Sequence, residues 1–276
     1  MMVEALVYFF VPALVGVLIG IASGLLGIGG GTVMVPIFRL AFGMSATMST
    51  ATSLFAIIPT SISGAISHVK GKTCIPALGI AAGLGGACLS PVGVWLAQLS
   101  PDWLVMLAAA LIIGYSAINM FKKAFKLRPA GQPAAGVDAA AAAPTADDSS
   151  LSRKQLLQGA AIGLVAGLAS GYVGVGGGFI MVPLMLSIIG IPMRKASGTS
   201  LIAVMILAIP GVIEQGIIGN INYLAGIAIV IGTIPGAVIG ARLVTKVPER
   251  TLRLLFGCFL IVAAVMLVLN EVGIFG

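Results

Sequence analysis

Two hydroxyl pairs recur in this chain at a fixed distance: Thr52-Ser53-Leu54 returns 147 residues later as Thr199-Ser200-Leu201. The same offset relates GIASGLLGIGGGTVMVP (Gly20 to Pro36) to GLASGYVGVGGGFIMVP (Gly167 to Pro183), with 11 of 17 positions identical. Hydroxyls and unpaired backbone N–H groups are donors without formal charge. Converging on one point, they bind an oxyanion where no Lys or Arg is available. The candidate donors are the backbone at Gly29, Gly30, Gly31 and Thr32, its counterpart at Gly176, Gly177, Gly178 and Phe179, and the hydroxyls of Thr52, Ser53, Thr199 and Ser200. The repeat makes Ser53 and Ser200 equivalent, so both are expected to contribute alike.

Such donors need elements that hold them. Three consecutive glycines are a poor helix interior, at about 1 kcal/mol each relative to alanine. Each triplet therefore ends one helix and starts another. Ten apolar segments follow, five per half: 4–24, 32–43, 47–69, 75–98 and 102–121, then 155–173, 179–190, 196–217, 222–245 and 250–270. A helix over 32–43 is only about 18 Å long, against roughly 30 Å of hydrocarbon. Its glycine end must lie inside the bilayer, where irregular backbone is tolerated only under protein or beside water. Unpaired N–H groups at the two short helices then point their partial positive charge toward the midplane. The glycines equally suit close helix packing, as small residues do in membranes.

Composition sets the class. Of the 276 residues, 59% are hydrophobic and 8% charged, and mean hydropathy is +1.16; a soluble domain carries about 25% charged residues. The chain is an all-α polytopic membrane protein. The net charge of +7 lies in short clusters between apolar runs, as positive-inside loops do, so nucleic acid is not the implied partner. If all ten segments cross, fourteen of the fifteen Lys and Arg residues fall on one side, with Arg39 alone on the other. If the two short segments do not cross, the split is eight to seven. The positive-inside rule selects ten crossings, both termini outside, and two inverted-topology repeats of five segments each. Residues 1–126 form the first repeat and 154–276 the second; 127–153, rich in Ala, Pro, Asp and Ser, reads as a disordered cytoplasmic linker. Trp95, Trp103 and Tyr223 are expected at the outer interface, and the opening MMVEALVYFF lacks the basic region of a cleaved leader.

The remaining chemistry is sparse. Ser49, Ser53, Thr60, Ser63 and Ser67 share one face of the third segment, a polar wall or a packing stripe. Glu214, the one acid well within an apolar segment, is the coupling candidate as a proton carrier; its place near the segment's end also suits a solvated or Arg39-paired residue. His68, the only histidine, sits near the end of its segment and reads as a solvated boundary residue. Asp102 and Glu249 each follow a proline and complement the dipole of the helix they open. Cys74, Cys88 and Cys258 are in no metal or redox spacing and read as buried small hydrophobes. No metal or cofactor is expected.

The paired elements GLLGIGGGTVMVP and GYVGVGGGFIMVP, the ATSL and GTSL that follow, and the His-Val-Lys-Gly turn at 68–71 resemble the sulfite exporter TauE/SafE family of prokaryotic membrane proteins. The likeness covers essentially the whole chain except 127–153. It implies transport of sulfite or a related small organosulfur anion across the cytoplasmic (inner) membrane, with export the expected direction. The partners implied are that anion, the bilayer and, for coupling, protons. Together, inverted repeats and broken helices indicate a secondary transporter; a passive anion channel would use the same site. A membrane-embedded enzyme would need a paired acid and base or a metal cluster, which one histidine and one boundary glutamate do not supply.

Overall fold

The computed structural model describes residues 2–126 and 152–271. All of its regular elements are helices: α1 (Met2–Leu26), α2 (Gly31–Phe42), α3 (Ala46–Lys70), α4 (Pro76–Leu99), α5 (Asp102–Lys126), α6 (Arg153–Val173), α7 (Gly178–Leu184), α8 (Met193–Ile218), α9 (Tyr223–Leu243) and α10 (Glu249–Glu271). Every expected apolar segment is one of these, with ends within three residues apart from the C-terminal ends of α5 and of α7, whose helical course runs on to Ile189 in another pitch. Seven described helices are long and apolar enough to cross a membrane; α2, α7 and the Pro12–Leu26 part of α1 are shorter apolar helices. Of the expected linker, Arg153 opens α6 and Ser152 caps it, forming a capping box with Gln155; 127–151 lie outside the described residues.

The second short helix changes pitch. After Leu184 it continues as a π-helical turn, Met185–Ile189. Pro183 lies inside α7, and the Ser187 hydroxyl donates to the Pro183 carbonyl at 2.6 Å. A proline plus a hydroxyl inserted at that carbonyl lets the ladder widen. The first half has Leu40 at the corresponding position, and α2 stays α-helical.

Helices of the two halves alternate in the packing. α1 lies along α9 and α6 along α4, while α5 packs on α10 and α3 on α8. The first two pairs touch backbone to backbone. A Cβ on Gly20 would come 2.4 Å from the Thr233 carbonyl oxygen, and one on Gly167 2.1 Å from that of Gly86. Where lipid supplies no hydrophobic drive between helices, such close approach is what holds them. Outward, Leu14, Leu111, Leu157 and Ile217 are all exposed, as a lipid-facing surface requires. Cys88 and Cys258 lie on that exposed surface and Cys74 is half-buried. The expectation of three buried cysteines is corrected: on a membrane protein an apolar run has an outer face where a small hydrophobe is equally stable.

Four capping bonds lock the helix ends, and they come in matched pairs. Asp102 accepts from the Ala46 N–H at 3.1 Å, and Glu249 from the Met193 N–H at 3.3 Å. Each acid thus caps the start of another helix, α3 or α8, rather than serving only its own. Thr52 accepts from the Asn222 N–H at 3.0 Å, and Thr199 from the Ile75 N–H at 2.9 Å. These bonds sort the bundle's ends. Trp103 and Tyr223 follow Asp102 and Asn222 and sit with the start of α3, Tyr223 edge-on to Phe55 at 5.4 Å. At the other end Lys72, Arg194 and Lys195 line one cavity of about 490 Å³ with Glu249.

Candidate anion site at the glycine breaks

Each glycine triplet does interrupt the chain between helices. Between α1 and α2, Gly27, Gly29 and Gly30 take φ of 75°, 81° and 86°; between α6 and α7, Gly174, Gly176 and Gly177 take 72°, 87° and 62°. A positive φ strains any residue with a Cβ, which is why these turns are written in glycine. Gly30 and Gly177, both left-handed, are the N-caps of α2 and α7. A left-handed residue followed by a helical one turns successive N–H groups toward one concave side, an arrangement that favours anions.

The two breaks abut. A Cβ on Gly31 would lie 2.5 Å from the Val175 carbonyl oxygen, and a Cβ on its counterpart Gly178 2.4 Å from that of Gly27. Both breaks are wholly buried. Between them the filling is apolar: Ile57, which would touch a Cβ on Gly29, Gly31 or Gly176, and Val204, 3.0 Å from a Cβ on Gly29. Ile57 and Val204 are themselves 147 residues apart. No cation and no acid enters this contact.

The hydroxyls divide into those already bonded and those without a partner. Thr52 and Thr199 accept the capping bonds described above, and Thr199 donates to the Lys195 carbonyl at 2.6 Å. Ser200 donates to the Gly27 carbonyl at 2.7 Å. Ser53 has no partner among the described residues, nor do the fully buried hydroxyls of Ser23, Thr32, Ser61 and Ser170. Three of these belong to the first break. A Cβ on Gly29 would be 3.5 Å from the Ser61 oxygen, and one on Gly30 3.7 Å from Ser23 Cβ; Thr32 is in the first turn of α2. Sequence reasoning passed over Ser23, Ser61 and Ser170. Ser23 and Ser170 carried a signal, the Ala-Ser-Gly common to both glycine stretches, whereas Ser61 lies off the face of the hydroxyl stripe. Of that stripe, Thr60 meets Thr233 at 2.6 Å and Ser63 donates to the Ile234 carbonyl at 2.7 Å.

His68 is buried, not solvated. Its Nε2 lies 2.8 Å from the Gly24 carbonyl and so carries a proton, while Nδ1 is 2.7 Å from the Thr73 hydroxyl. The expectation from its place near a helix end failed because α8 packs over it: a Cβ on Gly198 would be 2.8 Å from Nδ1. The second half repeats one of these two contacts with Gln215, whose Oε1 accepts from Asn220 Nδ2 at 2.8 Å. Glu214, beside it, is half-buried, and its Oε2 is buried without a hydrogen-bond partner among the described residues. Outside the breaks, a cavity of about 820 Å³ opens between α3 and α9, with Ser63, Ser67, Lys70 and Arg242 in its lining. No His, Cys, Asp and Glu cluster among the described residues is grouped to hold a metal.

A bundle of apolar helices with two buried, glycine-broken half-helices has the build of a polytopic membrane transporter. Comparison with known proteins agrees: the family model described as "Sulfite exporter TauE/SafE" matches residues 12–267. The chain belongs to that family. It is 27% identical over 276 residues to the "Probable membrane transporter protein YunE" of Bacillus subtilis, covering 97% of this chain and 99% of that one. It is 28% identical over 241 residues to YdhB of the same organism, a second "Probable membrane transporter protein", covering 87% and 92%. A Haemophilus influenzae protein of the same description is 29% identical over 277 residues, covering 93% and 97%. No solved structure matches significantly.

Proposed function

We propose that the protein is a secondary transporter that exports sulfite or a related small organosulfur anion across the cytoplasmic membrane. The observation that carries this reading is the contact of two half-helix N-termini, buried, rich in unpaired donors and free of formal charge. A multiply charged anion is costly at mid-membrane. Each hydrogen bond to a charged group contributes about 1.5–3 kcal/mol, so several converging donors offset much of that cost while still permitting release. The donors assigned are the N–H groups of the glycine breaks and the hydroxyls beside them. Thr52, Thr199 and Ser200, already bonded within the protein, hold the frame.

Matched bonds at one offset support two repeats of opposite orientation, with both termini outside and residues 127–153 in the cytoplasm. Exchange of the two repeats' conformations then gives access from each side in turn. On the cation-rich end, Lys70 and Arg242 in the α3–α9 cavity supply a positive field that gathers anions from the cytoplasm. The test is flux in proteoliposomes with labelled sulfite, sulfate, thiosulfate and sulfoacetate. Saturable sulfite or sulfoacetate flux that responds to a proton gradient is expected. Flux linear in concentration and indifferent to the gradient would make the protein a passive anion channel instead.

A further inference from the structure

We propose that the anion is bound at the first glycine break alone, by Ser23, Thr32 and Ser61 with the N-terminus of α2, and that the second break is its apolar counterpart. This rests on the transport reading above and narrows it to one half of the chain. The two breaks share their backbone course but not all their donors. At the first, the N–H groups of Gly29, Gly30, Gly31 and Thr32 have no acceptor among the described residues. At the second, the N–H groups of Gly176, Gly177 and Phe179 are likewise without an acceptor among the described residues, but the Gly178 N–H is taken by the Gly176 carbonyl at 2.6 Å.

The side chains diverge in the same sense. Thr32 corresponds to Phe179 and Ser61 to Ala208, so two of three hydroxyls are replaced by carbon in the second half. Ser170 alone matches Ser23. Ser61, Thr32 and Ser23 are each fully buried and unpartnered. A buried hydroxyl left unpaired costs stability. Three around one helix N-terminus are explained if their partner is a ligand.

Buried, unpartnered hydroxyls together with unpaired N–H groups at one helix N-terminus suit a group presenting three equivalent oxygens. Such an SO3 group is carried by sulfite or by an organosulfonate. The apolar neighbours of the break, Ile19 and Met34 at 3.1 and 3.0 Å from a Cβ on Gly30, would accept a short carbon tail. The two sources are separable by competition.

The experiment uses the full chain in proteoliposomes, with labelled sulfite as the probe and sulfoacetate as competitor. Ser61→Ala and Thr32→Val should each raise KM for sulfite about tenfold, the loss of one charge-assisted bond. Both should also hold or raise the Tm of the ligand-free protein, because each removes an unsatisfied buried hydroxyl. That second readout separates a ligand contact from a structural one, whose loss lowers Tm. Sulfoacetate competing in wild type with a lower inhibition constant than unlabelled sulfite assigns an organosulfonate; the reverse order assigns sulfite. Wild-type flux with unchanged KM in both variants overturns the one-sided site while leaving transport intact. Absence of saturable flux for either anion in wild type overturns the transport reading itself, and the site with it.

Discussion

Ser200 donates a hydrogen bond to the Gly27 carbonyl across the bundle, 2.7 Å long. It ties the start of α8 to the first glycine break. Its sequence counterpart Ser53 has no partner, so residues made equivalent by the repeat are not equivalent in the folded chain. Ser200→Ala should therefore destabilise by about 1 kcal/mol, the net worth of an ordinary internal bond. Ser53→Ala should leave stability unchanged or raise it. Thermal unfolding of the two variants in detergent decides the matter, and equal losses would contradict the assignment.

The glycines make a graded prediction. Gly31 and Gly178 have no room: a Cβ would stand 2.5 Å and 2.4 Å from a backbone carbonyl of the opposite break. Gly43, unlike these two, has positive φ, 59°, and nothing lies within 4 Å of its Cβ position. Gly43→Ala should cost about 1–3 kcal/mol from backbone strain alone. Gly31→Ala and Gly178→Ala must push the two breaks apart, and should abolish transport. Gly30→Val and Gly177→Val, strained at left-handed caps, should do the same while the protein still inserts. Sulfite flux measured per inserted protein would show whether the four break variants separate from Gly43→Ala.

Much of this was legible in the chain. Three glycines in a row, repeated at one offset, predicted both breaks, and the apolar runs predicted all ten helices. What could not be read was which polar atoms find partners inside the protein. Thr52 and Thr199 stood out as the repeated hydroxyls, and each accepts the N–H of the residue that caps α9 or α4. Asp102 and Glu249 likewise serve helices 56 residues away along the chain. Here the repeated threonines record a repeated contact within the protein. Ser61 and Thr32, lacking hydroxyl counterparts, were the less conspicuous and the less bonded.

His68 bridges α3 to α1 through Gly24 and to the following turn through Thr73. Its counterpart Gln215 makes the matching bond to Asn220 with an amide. A glutamine amide offers both a donor and an acceptor, so the two bonds of His68 do not by themselves call for a titratable ring. His68→Gln should retain transport and its pH profile, whereas His68→Leu should lose about 1–3 kcal/mol by leaving buried polar groups unpaired. A shifted pH profile in the Gln variant would give the histidine a part in coupling instead.

Glu214 remains the coupling candidate, and its surroundings sharpen the test. It lies on α8 one residue before Gln215, half-buried, with Oε2 enclosed and without a hydrogen-bond partner among the described residues. An acid in a membrane-spanning helix is costly unless it serves an ion or proton path. Its backbone is tied into the frame, since Gln215 anchors Asn220 through both its side chain and its carbonyl. Movement of α8 would thus carry Glu214 with the turn that leads into α9. Glu214→Gln keeps the size of the side chain and removes the proton site. In proteoliposomes with an imposed pH gradient, that variant should lose gradient-driven sulfite flux. It should still exchange labelled for unlabelled sulfite at equal concentrations, because exchange needs the binding site and its two orientations but no net proton movement. Gradient-driven flux at the wild-type rate would remove Glu214 from the mechanism, and loss of exchange as well would move it from coupling to the binding site or the moving frame.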